Sequence, residues 1–515
     1  MAELEQRLFA SGLPVEALME KAALAVSRRL LAAPPQRLVV LAGPGHNGGD
    51  GLVVARELHL AGVPTSVWFP FERCKPLTEA HLRHARWLGI PVLAEDPEPD
   101  TGDLWLDALF GIGQNRAPGG RLEAVLRERQ IRRPHRLAAI DGPTGICADT
   151  GRRLGEVAAT AALTYAIGLI KQGFVQDAAL AWVGRLERID LGLPLPLLQG
   201  LPPEQPLGLG LTATVAAADQ RASPRPAIDP AAAKYGRGRL LVVAGSRRYR
   251  GAALLALAGA SAAGCGSLRA ALPAEVAESL WAVQPHVVLE PPPDATTDGG
   301  LDLGSLAPAS LERLDAVLLG PGLGGDDGPQ AAAAWRRLQD LPVLLVIDAD
   351  GLNRLAAGIA ADASPAAWLR RRRGPTWITP HAGEFARLFP DHAGRPPLEA
   401  AARAAQESGA VVLLKGARSV VAAPDGRRWQ LLRACGQAAR AGLGDVLAGY
   451  AAARGAMAAA CGEAAAAHHL AAAALDHAQA GFAAARREGP GGATPEAVAA
   501  ALGRSGGMCG FAITS

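Results

Sequence analysis

Three glycine-bearing loops in the first 200 residues hold polar side chains at spacings that suit phosphate and cation chemistry. The first is GPGHNGGDG, Gly43 to Gly51, which contains a literal GxGxxG. Such glycines let the backbone approach a phosphate, and the next helix offers free N–H groups and a positive dipole end. The loop also carries His46, Asn47 and Asp50, and the following strand TSVWF has no acid at its tip to hold a ribose. Both details argue against a dehydrogenase. The second loop, LDALFGIGQNR, sets Asp107 at the C-terminal end of a strand, where open α/β sheets hold their ligands. A turn or helix-cap role fits that aspartate equally well. The third, AIDGPTGICADTG, puts Asp141 at another strand end and Thr144 in a turn shaped by glycine and proline. Asn47, Asp107 and Thr144 are oxygen donors at strand ends, and such a set could hold a hard monovalent or divalent cation.

The second half repeats this grammar. GRGRLLVVAGSRRYRGAALLA (236–256) and LGPGLGG (319–325) are backbone-lined turns. DADGLN sets Asp348 and Asp350 at a strand end, and TPHAGE sets His381 and Glu384 in a strand-to-helix turn. LLKGARS offers Lys415 and backbone amides to a phosphate. In AGLGDVLAG (441–449), the glycines before Asp445 can form an anion hole at a helix start. Asp445 then stands where a carboxylate could take the proton of an attacking hydroxyl. His468 and His469 are neighbours on an alanine-rich helix, so they face different ways and read as packing or surface residues.

The elements around these loops alternate. Residues 14–31 have helical apolar spacing, and Arg37–Ala42, Thr65–Phe69, Leu104–Leu109 and Arg136–Ile140 read as strands. GLVVARELHLAG, from Gly51, reads as the helix after the first loop. Around 191–230, LGLPLPLLQGLPPEQPLGLG and ASPRPAIDP are dense in proline, which suits a linker. Alternation restarts at Arg239–Ala244, with later strands at 314–320, 342–348, 376–379 and 411–416. Two α/β domains are expected, 1–205 and 206–515, each a helix-covered and mostly parallel sheet.

Composition sets the outer limits. The 515 residues are 49% hydrophobic and 20% charged, which describes a globular chain. Its 52 basic and 49 acidic side chains leave +3, too little to imply a nucleic-acid or membrane partner. Six cysteines without a CxxC pair fit reduced cytosolic thiols and a cytoplasmic protein, and exclude a zinc ribbon. MAELEQRLFASG lacks the basic and apolar blocks of a signal peptide, and the uncharged run Gly251–Leu268 is too poor in large apolar residues to span a membrane.

Over residues 1–200 the ordered motifs LMEKAA, NGGDG, DALFGIG, DGPTGICADTG and TYAIGLIKQG resemble the NAD(P)H-hydrate epimerases. The resemblance implies a Rossmann-like domain with potassium held by Asn47, Asp107 and Thr144. It further implies contacts to the hydrated nucleotide from His46, Asn47, Gly48, Gly49 and Asp50, from Gly111, Ile112, Gly113, Gln114, Asn115, Arg116 and Ala117, and from Asp141. Asp141 and Lys171 are its proton-transfer or positioning groups. His46 stands where the family usually has Asn, and Thr144 where it has Ser.

Over about 210–505 the chain resembles the ribokinase-like, ADP-dependent NAD(P)H-hydrate dehydratases. That resemblance implies nucleotide contacts from Lys415, Gly416, Ala417, Arg418, Ser419 and Gly444. Ala252, Gly322, His381 and Asp445 would contact the hydrate, with Asp445 catalytic. Magnesium at the ADP phosphates is expected on physical grounds. The segment CGQAARAGLGD lacks the family's usual Asn and Met, although Gly442, Gly444 and Asp445 remain.

Together the two halves imply repair of hydrated NADH and NADPH. One domain would interconvert epimers at C6, and the other would dehydrate the S form with ADP, releasing AMP and phosphate. Related folds commonly assemble, so a homo-oligomer is expected. A ribokinase-class kinase of a small molecule, with a nucleotide-binding domain in front, is the alternative enzyme. A non-catalytic nucleotide-binding scaffold is the alternative from another class.

Overall fold

The computed structural model describes residues 1–202, 204–210, 231, 233–325, 331–358, 364–489 and 491–505. The chain forms two compact units, Met1–Leu201 and Pro202–Ser515. The proline-rich stretch 222–230, read as linker, lies outside the described residues.

The first unit holds seven parallel strands: β1 (Leu38–Ala42), β2 (Thr65–Trp68), β3 (Val92–Leu93), β4 (Leu104–Ala108), β5 (Leu137–Ile140), β6 (Leu163–Ile167) and β7 (Arg185–Ile189). Their order is β3-β2-β1-β4-β5-β6-β7, so the winding reverses between β1 and β4. That switch point leaves a crevice at the strand ends. Strand β1 shows why its sequence is a continuous apolar run. Leu38, Val40 and Ala42 join one hydrophobic core, and Val39 and Leu41 join another on the opposite face. A parallel sheet covered on both faces needs apolar residues at every position.

The helix after β1 spans His46–Leu60 and begins five residues before the Gly51 expected from sequence. Its glycines therefore serve close packing inside the first turns. A Cβ on Gly48 would lie 1.8 Å from the Gly43 carbonyl oxygen, and one on Gly51 would lie 2.5 Å from the Ala108 Cβ. Only glycine lets this helix approach the sheet so closely.

The second unit holds β8 (Leu207–Leu209), β9 (Arg239–Val243), β10 (Ser267–Ala271), β11 (Val288–Leu289), β12 (Ala316–Leu319), β13 (Leu344–Ile347), β14 (Thr376–Ile378), β15 (Val411–Leu414), β16 (Val420–Ala422) and β17 (Arg428–Leu431). The order is β11-β10-β9-β12-β13-β14-β15-β16-β17-β8, with only the β15–β16 and β16–β17 pairs antiparallel. Strand β8 comes from LGL in the proline-dense stretch, so part of the expected linker is sheet. Helix Leu443–Ala460 packs closely on helix Arg250–Ala263, because a Cβ on Gly449 would meet the Ala256 carbonyl at 1.8 Å. No helix among the described residues is long and apolar enough to cross a membrane.

Candidate active sites

In the first unit a cavity of about 1020 Å³ opens at the switch point. Its lining includes His46, Asn47 and Asp50 from the helix after β1, the loop Gly111–Ala117 after β4, and Asp141 after β5. These sequence-predicted groups therefore share one cleft. Gly48 and Gly49 do not line it. Gly48 packs on Gly43, and Gly49 packs on the Met19 thioether.

Asp141 adopts φ 65°, a left-handed conformation uncommon outside glycine. Its Oδ1 accepts a hydrogen bond from Lys171 Nζ, and its Oδ2 accepts one from the Ile112 amide at 3.2 Å. Lys171 Nζ also donates to the Ile167 carbonyl at 2.8 Å. The turn after Asp141 is clamped by Gln114, which donates to the Pro143 carbonyl at 3.0 Å and accepts from the Gly145 amide at 2.7 Å. The loop after β4 is thus tied to the loop after β5.

Asp107 and Thr144 are fully buried and do not line the cavity. Thr144 donates to Asp107 twice, from its hydroxyl to Oδ1 and from its amide to Oδ2, both at 2.8 Å. Burial pushes the Asp107 carboxyl up to about 6 despite these bonds. Among the described residues no basic side chain pairs with it. Asn47 is buried too, and both ends of its amide lack a partner. A buried carboxylate without a counter-charge and an orphaned amide each lack what a hard cation supplies, so the donor set fits potassium.

In the second unit the predicted loops gather at the C-terminal ends of adjacent parallel strands. Asp348 follows β13 and is almost fully buried. It accepts from Thr379 Oγ1 at 2.8 Å and from Lys415 Nζ at 2.7 Å. Lys415 also lies 3.9 Å from Glu384. Burial alone would lower Lys415, but Asp348 and Glu384 more than offset it and hold it above its ordinary range. The lysine that the sequence offers to a phosphate is ion-paired with Asp348. It still reaches the helix start, because a Cβ on Gly444 would lie 3.3 Å from its Nζ.

Gly442 precedes helix Leu443–Ala460 with φ 88°, and Asp445 sits in that helix's first turn. Burial, then the negative charge of Asp348, pushes the Asp445 carboxyl up to about 7, with Lys415 pulling the other way. Asp350 and Glu384 add to the rise. Asp350 accepts from the Gly324 amide at 2.9 Å, joining the 319–325 turn to this group. In that turn Gly322 meets Ala252, since a Cβ on the glycine would lie 2.7 Å from the alanine Cβ.

His381 caps helix Ala382–Leu388. Its Nδ1 accepts from the Gly383 amide at 2.9 Å, and the Glu384 carboxylate accepts from the His381 amide at 2.8 Å. The loop Lys415–Ser419 joins antiparallel β15 and β16, with Gly416 and Ala417 exposed, Ser419 bonded to Gly416, and Arg418 buried. No group of three or more His, Cys, Asp or Glu among the described residues could hold a metal ion. Sequence reading noticed Asp348 and Glu384 as strand-end acids without giving them a role. Their pairing with Lys415 spans three separate loops.

The model for NAD(P)H-hydrate dehydratases matches residues 240–504, and that for the YjeF-related protein N-terminus matches 15–173. The bifunctional NAD(P)H-hydrate repair enzyme Nnr of Gloeobacter violaceus is 42% identical over 87% of this chain and 86% of its own. The enzyme of the same name from a Synechocystis species is 39% identical over 95% and 90%. A crystal structure of ADP/ATP-dependent NAD(P)H-hydrate dehydratase from Bacillus subtilis covers 54% of this chain and 92% of its own, at 26% identity and TM-score 0.44. With relatives 42% and 39% identical over most of their length and a family model matching more than half of it, the chain belongs to the family of bifunctional NAD(P)H-hydrate repair enzymes.

Proposed function

We propose that the first unit interconverts the R and S hydrates of NADH and NADPH, and that the second dehydrates the S hydrate with ADP. The observation supporting this reading is that each unit gathers its own set of polar side chains at strand ends. In the first, Asp141 and Lys171 hold and move protons beside the cleft that takes the hydrated nicotinamide. Asn47, Asp107 and Thr144 would hold a potassium ion, which would supply the positive charge that buried Asp107 otherwise lacks.

In the second unit Asp445 takes the proton of the C6 hydroxyl as its oxygen attacks the β-phosphorus of ADP. The O–P bond forms and AMP leaves. Phosphate then departs from C6 while C5 loses a proton, which restores the ring double bond. A base with a value near neutrality is well matched to this task. The helix-start amides after Gly442, with Lys415 close by, stabilise the phosphoryl group. Magnesium on the ADP phosphates would supply neutralising positive charge there.

The test is incubation of the chain with both hydrate epimers, ADP, potassium and magnesium, following NADH absorbance and the epimer ratio. Restored absorbance with AMP and phosphate released is the expected result. A stable phosphorylated product would instead identify a kinase, and binding without turnover would identify a scaffold.

A further inference from the structure

Glu5 lies on the helix Ala2–Ala10, far in sequence from every glycine loop. That helix seats Leu4 and Leu8 in the protein interior. Its leading Met1 thioether packs at Gly168, three residues before Lys171. Glu5 is thereby turned to the same cavity that holds Asp141 and Asn47. Among the described residues its carboxyl has no hydrogen-bond or ion-pair partner, whereas Asp141 is fixed by Lys171 and Ile112. A half-buried carboxyl left unpaired beside a paired one is poised for the opposite protonation state.

We infer that Glu5 is a second catalytic carboxyl of the epimerase cleft, working as the proton-transfer partner of Asp141. The inference rests on the epimerase reading of the first unit. In one direction the C6–O bond breaks with its electron pair on oxygen, which takes the Glu5 proton and leaves as water. The N1 lone pair forms the N1–C6 double bond. Water then adds to C6 from the other face, Asp141 accepts its proton, and the electron pair returns to N1. The reverse reaction begins from the protonation state so produced. This scheme needs one carboxyl protonated and the other ionised.

The electrostatics agree. Burial, then the Asp141 charge, raises the Glu5 carboxyl above its ordinary range, while Lys171 and the Met1 amino group pull it down. Asp50 also faces it, and burial together with Asp141 and Glu5 raises that carboxyl strongly. His46, Lys75 and Arg116 are the remaining basic or titratable groups on the lining.

The test compares the wild-type chain with Glu5→Gln and Glu5→Asp on separated epimers of hydrated NADH, read by chromatography across pH in potassium buffer. Epimerisation by Glu5→Gln should fall about a hundredfold or more. The alkaline limb of the wild-type pH profile should vanish with it, and Glu5→Asp should recover part of both. A Glu5→Gln variant within twofold of wild type, with its alkaline limb intact, overturns the role of Glu5 alone. So does loss in Glu5→Ala that glutamine rescues, because glutamine carries no transferable proton. A wild-type chain that leaves the epimer ratio at the enzyme-free control overturns the epimerase reading and this inference together.

Discussion

Replacing Asp445 by Asn separates what this carboxylate does for catalysis from what it costs the fold. Its folded value of about 7 stands against an ordinary 3.8, a rise of about 3 units. At about 1.4 kcal/mol per unit, ionised Asp445 costs the second unit up to about 4 kcal/mol. The value is raised in the folded state, so that cost is absent below about pH 4 and grows as pH rises through about 7. Asparagine keeps the size and abolishes the charge. Thermal unfolding of the second unit should therefore shift upward in Asp445→Asn at pH 8 and little at pH 4. Dehydration, followed by NADH absorbance, should fall by roughly two orders of magnitude or more. In the wild type, kcat/KM should drop about tenfold from pH 8 to pH 6, as the ionised fraction falls from about nine-tenths to about one-tenth. Near-normal dehydration by Asp445→Asn would refute the base and move attention to His381 or Glu384. Lost activity without the gain in stability at pH 8 would refute the electrostatic argument.

Asp107→Ala should abolish epimerisation and its potassium dependence while dehydration of supplied S hydrate stays close to wild type; equal loss of both activities in a folded variant would count against the cation site. Lys415→Met leaves Asp348 and Glu384 without their shared cation, so it should destabilise the second unit by about 3–5 kcal/mol, measured by denaturant unfolding. Chains cut between residues 205 and 206 should separate the activities, the first part epimerising without ADP and the second converting only the S epimer with ADP. Two folded parts that are both inactive would mean a shared site.

The strand-end logic was legible because parallel strands buried on two faces leave apolar runs such as RLVVLA, and the functional loops follow those runs. Asp107, Asp141 and Asp445 were visible as acids just beyond such runs or beside glycines. The start of the helix after β1 was misjudged because glycines normally signal loops. Gly48 and Gly51 are present because neighbouring backbone and side chains come within 3 Å of where a Cβ would sit, and no local pattern reports that. The proline-dense boundary hid β8 because three residues, LGL, are too short for a periodic signal. Glu5 had no sequence signal at all. It looks like an ordinary surface glutamate of an amphipathic helix until the fold turns it to the cleft.

Each unit contains an aspartate–lysine pair and a carboxyl that the pair does not satisfy. Asp141 with Lys171 stands beside unpaired Glu5, and Asp348 with Lys415 stands beside Asp445. The pairing has a physical consequence in both places. A negative charge on the lysine-paired carboxylate raises the proton affinity of its neighbour. Asp141 contributes to the rise at Glu5, and Asp348 to the rise at Asp445. A lone buried acid would be raised by burial alone and would have no fixed partner to orient it. With a lysine-anchored aspartate alongside, the free carboxyl gains a value nearer neutrality while the anchored one keeps its geometry. A carboxyl of raised proton affinity beside a lysine-paired one suits proton transfer near neutral pH, and two sheets whose strands β1–β7 and β9–β15 follow the same winding order reach it with the same residue types.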